Sequence, residues 1–277
     1  MSNAISDNGA AGAAPPKTRT DAPKRGLRPG LPTAPWNPWL GAAFVVVVFI
    51  ASGIFSGVLV SLYPWLHHWS QTRTQDWLND SVGAQFTFVL LAEAFSIGAL
   101  YMFLRLWKFK FSGLGLKRPR RTDPLYGLMA FPVYFVLYLI VLAVITHFVP
   151  GLNVNQQQEL GFNDVHGVLA MSLTLISLVV LPAVVEEIMV RGFLYSSLKK
   201  ALPAVWAAVL TSALFASAHL PEGGSAGPLY IAALDTFVLS LVLIYLREKT
   251  GNLWASITLH AAKNSVAFVT LFVLHIR

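Results

Sequence analysis

The sequence contains no cysteine. Disulfide bonds, thiolate metal ligands and a cysteine nucleophile are therefore excluded. Charge is also scarce, because only 12% of the 277 residues are Asp, Glu, Lys or Arg, whereas 55% are hydrophobic. Soluble domains carry about twice that share of charged residues. Together with a mean hydropathy of +0.60, the composition indicates a membrane protein.

Long apolar runs with few interior charges follow one another along the chain. A helix needs roughly 20 mostly apolar residues to cross a bilayer, and about seven runs approach that length. We predict spans at residues 41–63, 82–103, 125–149, 165–194, 202–219, 229–246 and 253–274. The predicted fold is an all-α, polytopic transmembrane helical bundle.

Proline and polar residues dominate the sequence before the first span, which indicates a disordered tail over residues 1–38. The next predicted unit contains three spans over residues 39–164. A second unit of four helices over residues 165–277 holds most of the intramembrane polar residues. Trp36 and Trp39 are expected to mark the membrane interface.

The net charge of +7 is placed in alternate loops rather than on one face. Basic residues precede the first span at Lys17, Arg19, Lys24, Arg25 and Arg28, and follow the second at Lys108, Lys110, Lys117, Arg118, Arg120 and Arg121. By the positive-inside rule both segments are cytoplasmic. We therefore predict a multi-pass protein of the cell membrane with a cytoplasmic N-terminus and an external C-terminus. Its partner would be membrane lipid and not nucleic acid, and its oligomeric state stays open.

Charged residues reappear at the end of the fourth run, at Glu186, Glu187 and Arg191. A charge in mid-bilayer costs roughly 2.5–3.5 kcal/mol on insertion scales, so it usually serves a function. Glu187 precedes Arg191 by four residues, which is the favourable order for an ion pair on one helix face. Glu186 is turned about 100° away and is expected to face a cavity or a partner helix. Alternatively, all three residues only anchor the cytoplasmic end of the helix.

Two further runs carry histidine. The fifth ends in FASAH, which places Phe215 and His219 four residues apart on one helix face. In the last run His260 and Asn264 have the same spacing and share one stripe. In lipid His260 and Asn264 either form hydrogen bonds between helices or donate to an oxyanion that develops on a peptide carbonyl. The alternative for His219 is that it snorkels to the interface or forms a hydrogen bond with a neighbouring carbonyl group.

The ordered set EExxxR at 186–191, FxxxH at 215–219 and HxxxN at 260–264 resembles the CPBP family of CAAX-type and bacteriocin-processing proteases. The resemblance covers roughly residues 165–275. The GNLW turn at 251–254 and the LGL segment at 114–116 also resemble the family.

This resemblance implies an intramembrane endopeptidase that acts on a membrane-associated peptide, such as a prenylated C-terminus or a leader peptide. Glu186 and His219 would position and deprotonate a water molecule. His260 and Asn264 would stabilise the tetrahedral oxyanion, and the Glu187–Arg191 pair would orient the site.

The cofactor stays open between a divalent metal such as zinc and none. Carboxylate and imidazole are plausible zinc ligands, and the candidate ligands are Glu186, His219 and His260. The same residues suffice for catalysis without a metal, and the sequence has no HExxH motif.

The predicted spans conflict with this site at one point. His219 falls near the outer end of the fifth span, on the order of 20 Å from Glu186 at 1.5 Å per residue. We therefore expect a short, tilted or re-entrant fifth segment that brings His219 inward.

Three other functions are compatible with the residues. Glu93, Asp235 and Lys263 are intramembrane charges of the kind that transporters use. Alternatively, Lys263 neutralises Glu93 or Asp235 in an ion pair. A non-catalytic scaffold or immunity protein would keep the same fold. A GxSxG pattern surrounds Ser225, but the strand-turn-helix setting of a serine hydrolase is not indicated.

Overall fold

The computed structural model describes residues 32–156, 158, 161–162, 164–221, 223 and 227–275. In chain order its main helices are α1 (Pro38–Leu66), α2 (Gln71–Asp80), α3 (Val82–Leu106), α4 (Thr122–Phe148), α5 (Gly167–Leu198), α6 (Ala204–Ser217), α7 (Tyr230–Thr250) and α8 (Trp254–Val273). Within the described residues no strand is present, and all of these helices except α2 and α6 are long and apolar enough to cross a membrane. The prediction of an all-α, polytopic bundle is confirmed.

Helix α6 is the element that differs most from the predicted spans. It has 14 residues, which extend about 21 Å, whereas the hydrocarbon core of a bilayer is about 30 Å thick. The 202–219 run is therefore a short apolar helix, and His219 lies in the turn that follows Ser217. The sequence predicts a short, tilted or re-entrant fifth segment that brings His219 inward, and the fifth segment is short.

Helix α5, which carries the EExxxR motif, is not a regular α-helix throughout. Ile176–Val180 and Glu187–Leu194 form π-helical turns within it. Such turns are rare and often lie at functional sites. Every residue from Glu187 to Leu194 is buried, so this wider turn forms the centre of the bundle.

The N-terminal and C-terminal groups of helices pack against each other. Helix α3 contacts α5, and α4 contacts both α7 and α8. Gly127 of α4 marks the closest approach, because a Cβ there would lie 2.6 Å from the carbonyl oxygen of Ala255 in α8. Since α8 also contacts α5 and α7, this contact helps to hold α8 against the buried π-helical turn. The boundaries 39–164 and 165–277 stay predictions.

The two segments outside the main motifs that resemble the CPBP family meet in the structure. The backbone N–H of Leu253 donates to the carbonyl oxygen of Gly115 at 3.0 Å. The side-chain amide of Asn252 donates to Asp123 at 3.0 Å. Gly251 ends α7 with a φ of 64°, a conformation that favours glycine. These bonds fix the turn from which α8 starts.

Trp36, which is expected to mark the membrane interface, is packed inside the protein, and its depth in a membrane stays a prediction. Its side chain is fully buried and stacks on Phe193 with ring centroids 4.8 Å apart. Its indole N–H donates to the Ser197 hydroxyl at 2.7 Å, which satisfies the one polar atom of the ring. The side chain of Trp39 is 55% exposed. Residues 1–31 of the predicted disordered tail lie outside the described residues.

Candidate active site

The ion pair expected from the EExxxR spacing is present at the start of the π-helical turn. A guanidinium N–H of Arg191 donates to Glu187 Oε1 at 2.8 Å, and both side chains are completely buried. The Arg191 guanidinium also lies 4.3 Å above the ring centroid of Phe215. Arg191 therefore links α5 to α6, the helix that precedes His219.

The same Glu187 oxygen has a second partner on α8. His260 Nδ1 lies 3.0 Å from Glu187 Oε1, and a carboxylate oxygen can only accept, so Nδ1 carries the proton. Glu187 thereby fixes the orientation of the imidazole, as an acidic partner does for the histidine of a catalytic triad. The spacing within α5 predicted the partner Arg191, but no local signal connects Glu187 with a histidine 73 positions away.

Glu186 faces a different side of α5 from Glu187, as the helical geometry predicts. Its side chain is 19% exposed, and Oε2 lies 3.8 Å from His260 Nε2. Glu187 and Glu186 thus lie on the two nitrogen sides of one imidazole ring. The first orients the ring, and the second lines the cavity beside it.

His219 is oriented by its own helix. Its Nδ1 lies 2.9 Å from the carbonyl oxygen of Phe215, and a carbonyl only accepts, so Nδ1 donates. In the neutral ring the lone pair then lies on Nε2, which is the atom able to take a proton. The imidazole packs edge-on against Phe215, with centroids 4.8 Å apart.

One cavity of about 500 Å³ joins these groups, because Glu186, His219, His260 and Asn264 all line it. Asn264 donates one amide hydrogen to the carbonyl oxygen of Leu178 at 3.0 Å, which leaves the second hydrogen of the same nitrogen. Candidates drawn from three separate predicted spans therefore share one cavity. Their catalytic roles stay predictions.

Of the three intramembrane charges considered for transport, Lys263 and Asp235 form an ion pair, and Glu93 lines the cavity. Lys263 lies 3.1 Å from Asp235, which also accepts a hydrogen bond from the hydroxyl of Tyr134. The neutralising pair is thus formed with Asp235. Glu93 lines the same cavity as the candidate catalytic residues, whereas Ser225 lies outside the described residues.

The described part of the chain does not indicate a metal site at the candidate ligands Glu186, His219 and His260. No group of three His, Asp or Glu side chains in the described part of the chain is arranged to hold a metal ion. The classification as a metalloprotease is therefore not supported, and no step proposed below passes through a metal.

Fold and site together define a multi-pass helical membrane protein with a cavity whose largely apolar wall carries carboxylate, imidazole and amide groups. Residues 168–266 match the family model described as type II CAAX prenyl endopeptidase, Rce1-like. This part of the chain is therefore similar to Rce1-like domains, which is consistent with the CPBP family of intramembrane proteases. No curated protein and no solved structure matches the chain significantly. The matched range contains all four candidate residues of the cavity, and the family suggests intramembrane endopeptidase activity.

Proposed function

We propose that the protein is an intramembrane endopeptidase that hydrolyses a membrane-associated peptide with water activated by Glu186 and His219. The observation that carries the proposal is the common cavity of Glu186, His219, His260 and Asn264. A volume of about 500 Å³ lies within the range of small-molecule and peptide pockets. The substrate class is a peptide held at the membrane, such as a prenylated C-terminus or a leader peptide.

The first chemical step is attack of water on the scissile carbonyl carbon. Glu186 accepts a proton from the water, while the lone pair on His219 Nε2 accepts a hydrogen bond from the same molecule and orients it. A new C–O bond forms, and the carbonyl π electrons move to oxygen to give a tetrahedral oxyanion. When this intermediate collapses, the C–N bond breaks and the proton held by Glu186 passes to the leaving amine.

The oxyanion needs hydrogen-bond donors at the position where its charge develops. The second amide hydrogen of Asn264 is one such donor. His260 can donate from Nε2 only when the ring has taken up a second proton from solvent before the reaction. The Glu187 carboxylate on Nδ1 favours that cation, whereas burial of the ring disfavours it. Arg191 keeps Glu187 in place from the other side. These roles agree with those that the family resemblance implies.

The test uses purified protein in liposomes with membrane-anchored peptides, and compares wild type with Glu186→Gln and His219→Asn. General acid-base groups contribute about 10²- to 10⁴-fold to rate, so each variant should lose at least 10²-fold in kcat. Asp76→Asn is the matched control, because Asp76 is an exposed carboxylate on α2 outside the cavity. A parallel reaction with chelator tests metal dependence.

Folding of each variant is checked by size-exclusion chromatography and thermal unfolding, so that a loss of activity is not a loss of structure. Cleavage that persists in both Glu186→Gln and His219→Asn would overturn the proposal. Proton or ion flux that survives both changes but vanishes in Glu93→Gln would indicate a transporter instead.

A further inference from the structure

The cavity is not built by the Rce1-like domain alone, because one face of α3 forms part of its wall. The α3 residues that line it are Gln85, Phe88, Val89, Ala92 and Glu93. Their spacing of three and four residues places them on one side of the helix. Glu93 lies outside the matched range of 168–266 and is half-buried. It thus adds a carboxylate to the candidate active site from a part of the chain that carries no recognised motif.

Among the described residues, no Lys or Arg side chain is paired with Glu93. Lys263 is the basic residue among the described lining residues, and it forms its ion pair with Asp235 at 3.1 Å. Arg191 is enclosed and bonded to Glu187. No hydrogen bond or ion pair joins Glu93 to another described residue. A carboxylate on a spanning helix is costly, so a cationic ligand group that enters the cavity would offset that cost.

We infer that Glu93 is a specificity-determining residue that binds a lysine or arginine side chain of the peptide substrate. The inference rests on the proposed protease function. The α3 wall beside Glu93 is apolar at Phe88, Val89 and Ala92. Lysine and arginine have long hydrocarbon stems that pack on apolar surface while their charged ends reach a polar group. The aromatic ring of Phe88 adds a surface that attracts a cation.

The experiment compares anchored peptides that differ only at one scanned position near the scissile bond, which carries Lys, Met or Glu. Met matches the length of the lysine stem without its charge. A hydrogen bond to a charged group is worth 1.5–3 kcal/mol, so wild type should prefer Lys over Met by about 10- to 100-fold in kcat/KM at one position. Glu93→Gln should bring this ratio close to one, and Glu93→Lys should shift the preference to Glu.

Asp76→Asn is again the matched control and should keep the wild-type ratio. A Lys:Met ratio that is equal in wild type and Glu93→Gln sinks the inference while leaving the protease function intact. If wild type cleaves no peptide, the proposed function fails.

Binding provides a second readout that does not need turnover. In the Glu186→Gln background, fluorescence titration should show that Glu93→Gln weakens binding of the Lys peptide by about 10-fold or more but not binding of the Met peptide. Equal affinities of Glu186→Gln and Glu186→Gln/Glu93→Gln for the Lys peptide would contradict the inference. Glu93→Met serves in place of Glu93→Gln if the latter does not fold.

Discussion

Replacing Arg191 by Met tests the buried triad of Arg191, Glu187 and His260 most directly. The substitution keeps an unbranched apolar side chain in the space but removes the cation. Glu187 is completely buried, so its carboxylate would lose its nearest cation without gaining water. Breaking a buried ion pair on one side costs about 3–5 kcal/mol, and we expect that loss in the free energy of unfolding of Arg191→Met.

The double variant Glu187→Gln/Arg191→Met should be less damaged than either single variant. Removing both charges leaves no uncompensated ion, and such replacements are often close to neutral. In addition, Arg191 Nε and Nη2 have no hydrogen-bond partner among the described residues. The arginine is therefore incompletely satisfied even in the native pair, and its loss is cheap once Glu187 is neutral.

Thermal unfolding in detergent, followed by size-exclusion chromatography, measures the effect. With about 2–4 °C per kcal/mol for a domain of this size, Arg191→Met should lower Tm by about 6–20 °C. Lys199→Met is the matched control, since it breaks a half-exposed pair with Glu248 that is worth about 1 kcal/mol or less. If the double variant loses the sum of the two single losses, the reasoning from an uncompensated buried charge is refuted.

Two packing predictions use the same unfolding measurement. Gly127→Ala places a Cβ 2.6 Å from the carbonyl oxygen of Ala255 and should lower the free energy of unfolding by about 1–3 kcal/mol. The control Gly98→Ala meets nothing within 4 Å and should be neutral or slightly stabilising. Equal Tm values for the two variants would contradict the close α4–α8 contact. Trp36→Ala removes a fully buried ring and should lower the free energy of unfolding by about 3–5 kcal/mol. The control Trp39→Ala changes an exposed side chain and should have little effect. A small loss of stability in Trp36→Ala would mean that this ring is not part of the core.

Most of the membrane-crossing helices could be predicted from sequence because their apolar runs exceed the length that a bilayer requires. The Glu187–Arg191 pair could be predicted for a similar reason, since four positions on one helix define one face whatever surrounds it. Apolar length did not predict the 202–219 run correctly. Its hydropathy resembles that of a span, but its helix has only 14 residues, and the turn after it carries His219.

The sequence by itself determined the fold class, the candidate residues and the pairing within α5, because bilayer thickness and helical spacing act locally. Only the tertiary structure decided that Glu187 orients His260, that Trp36 is buried and that Glu93 lines the candidate active site. These relations join helices far apart in the chain. They depend on how side chains pack where helices cross, as at Gly127. The spacing of residues within one helix does not predict that packing.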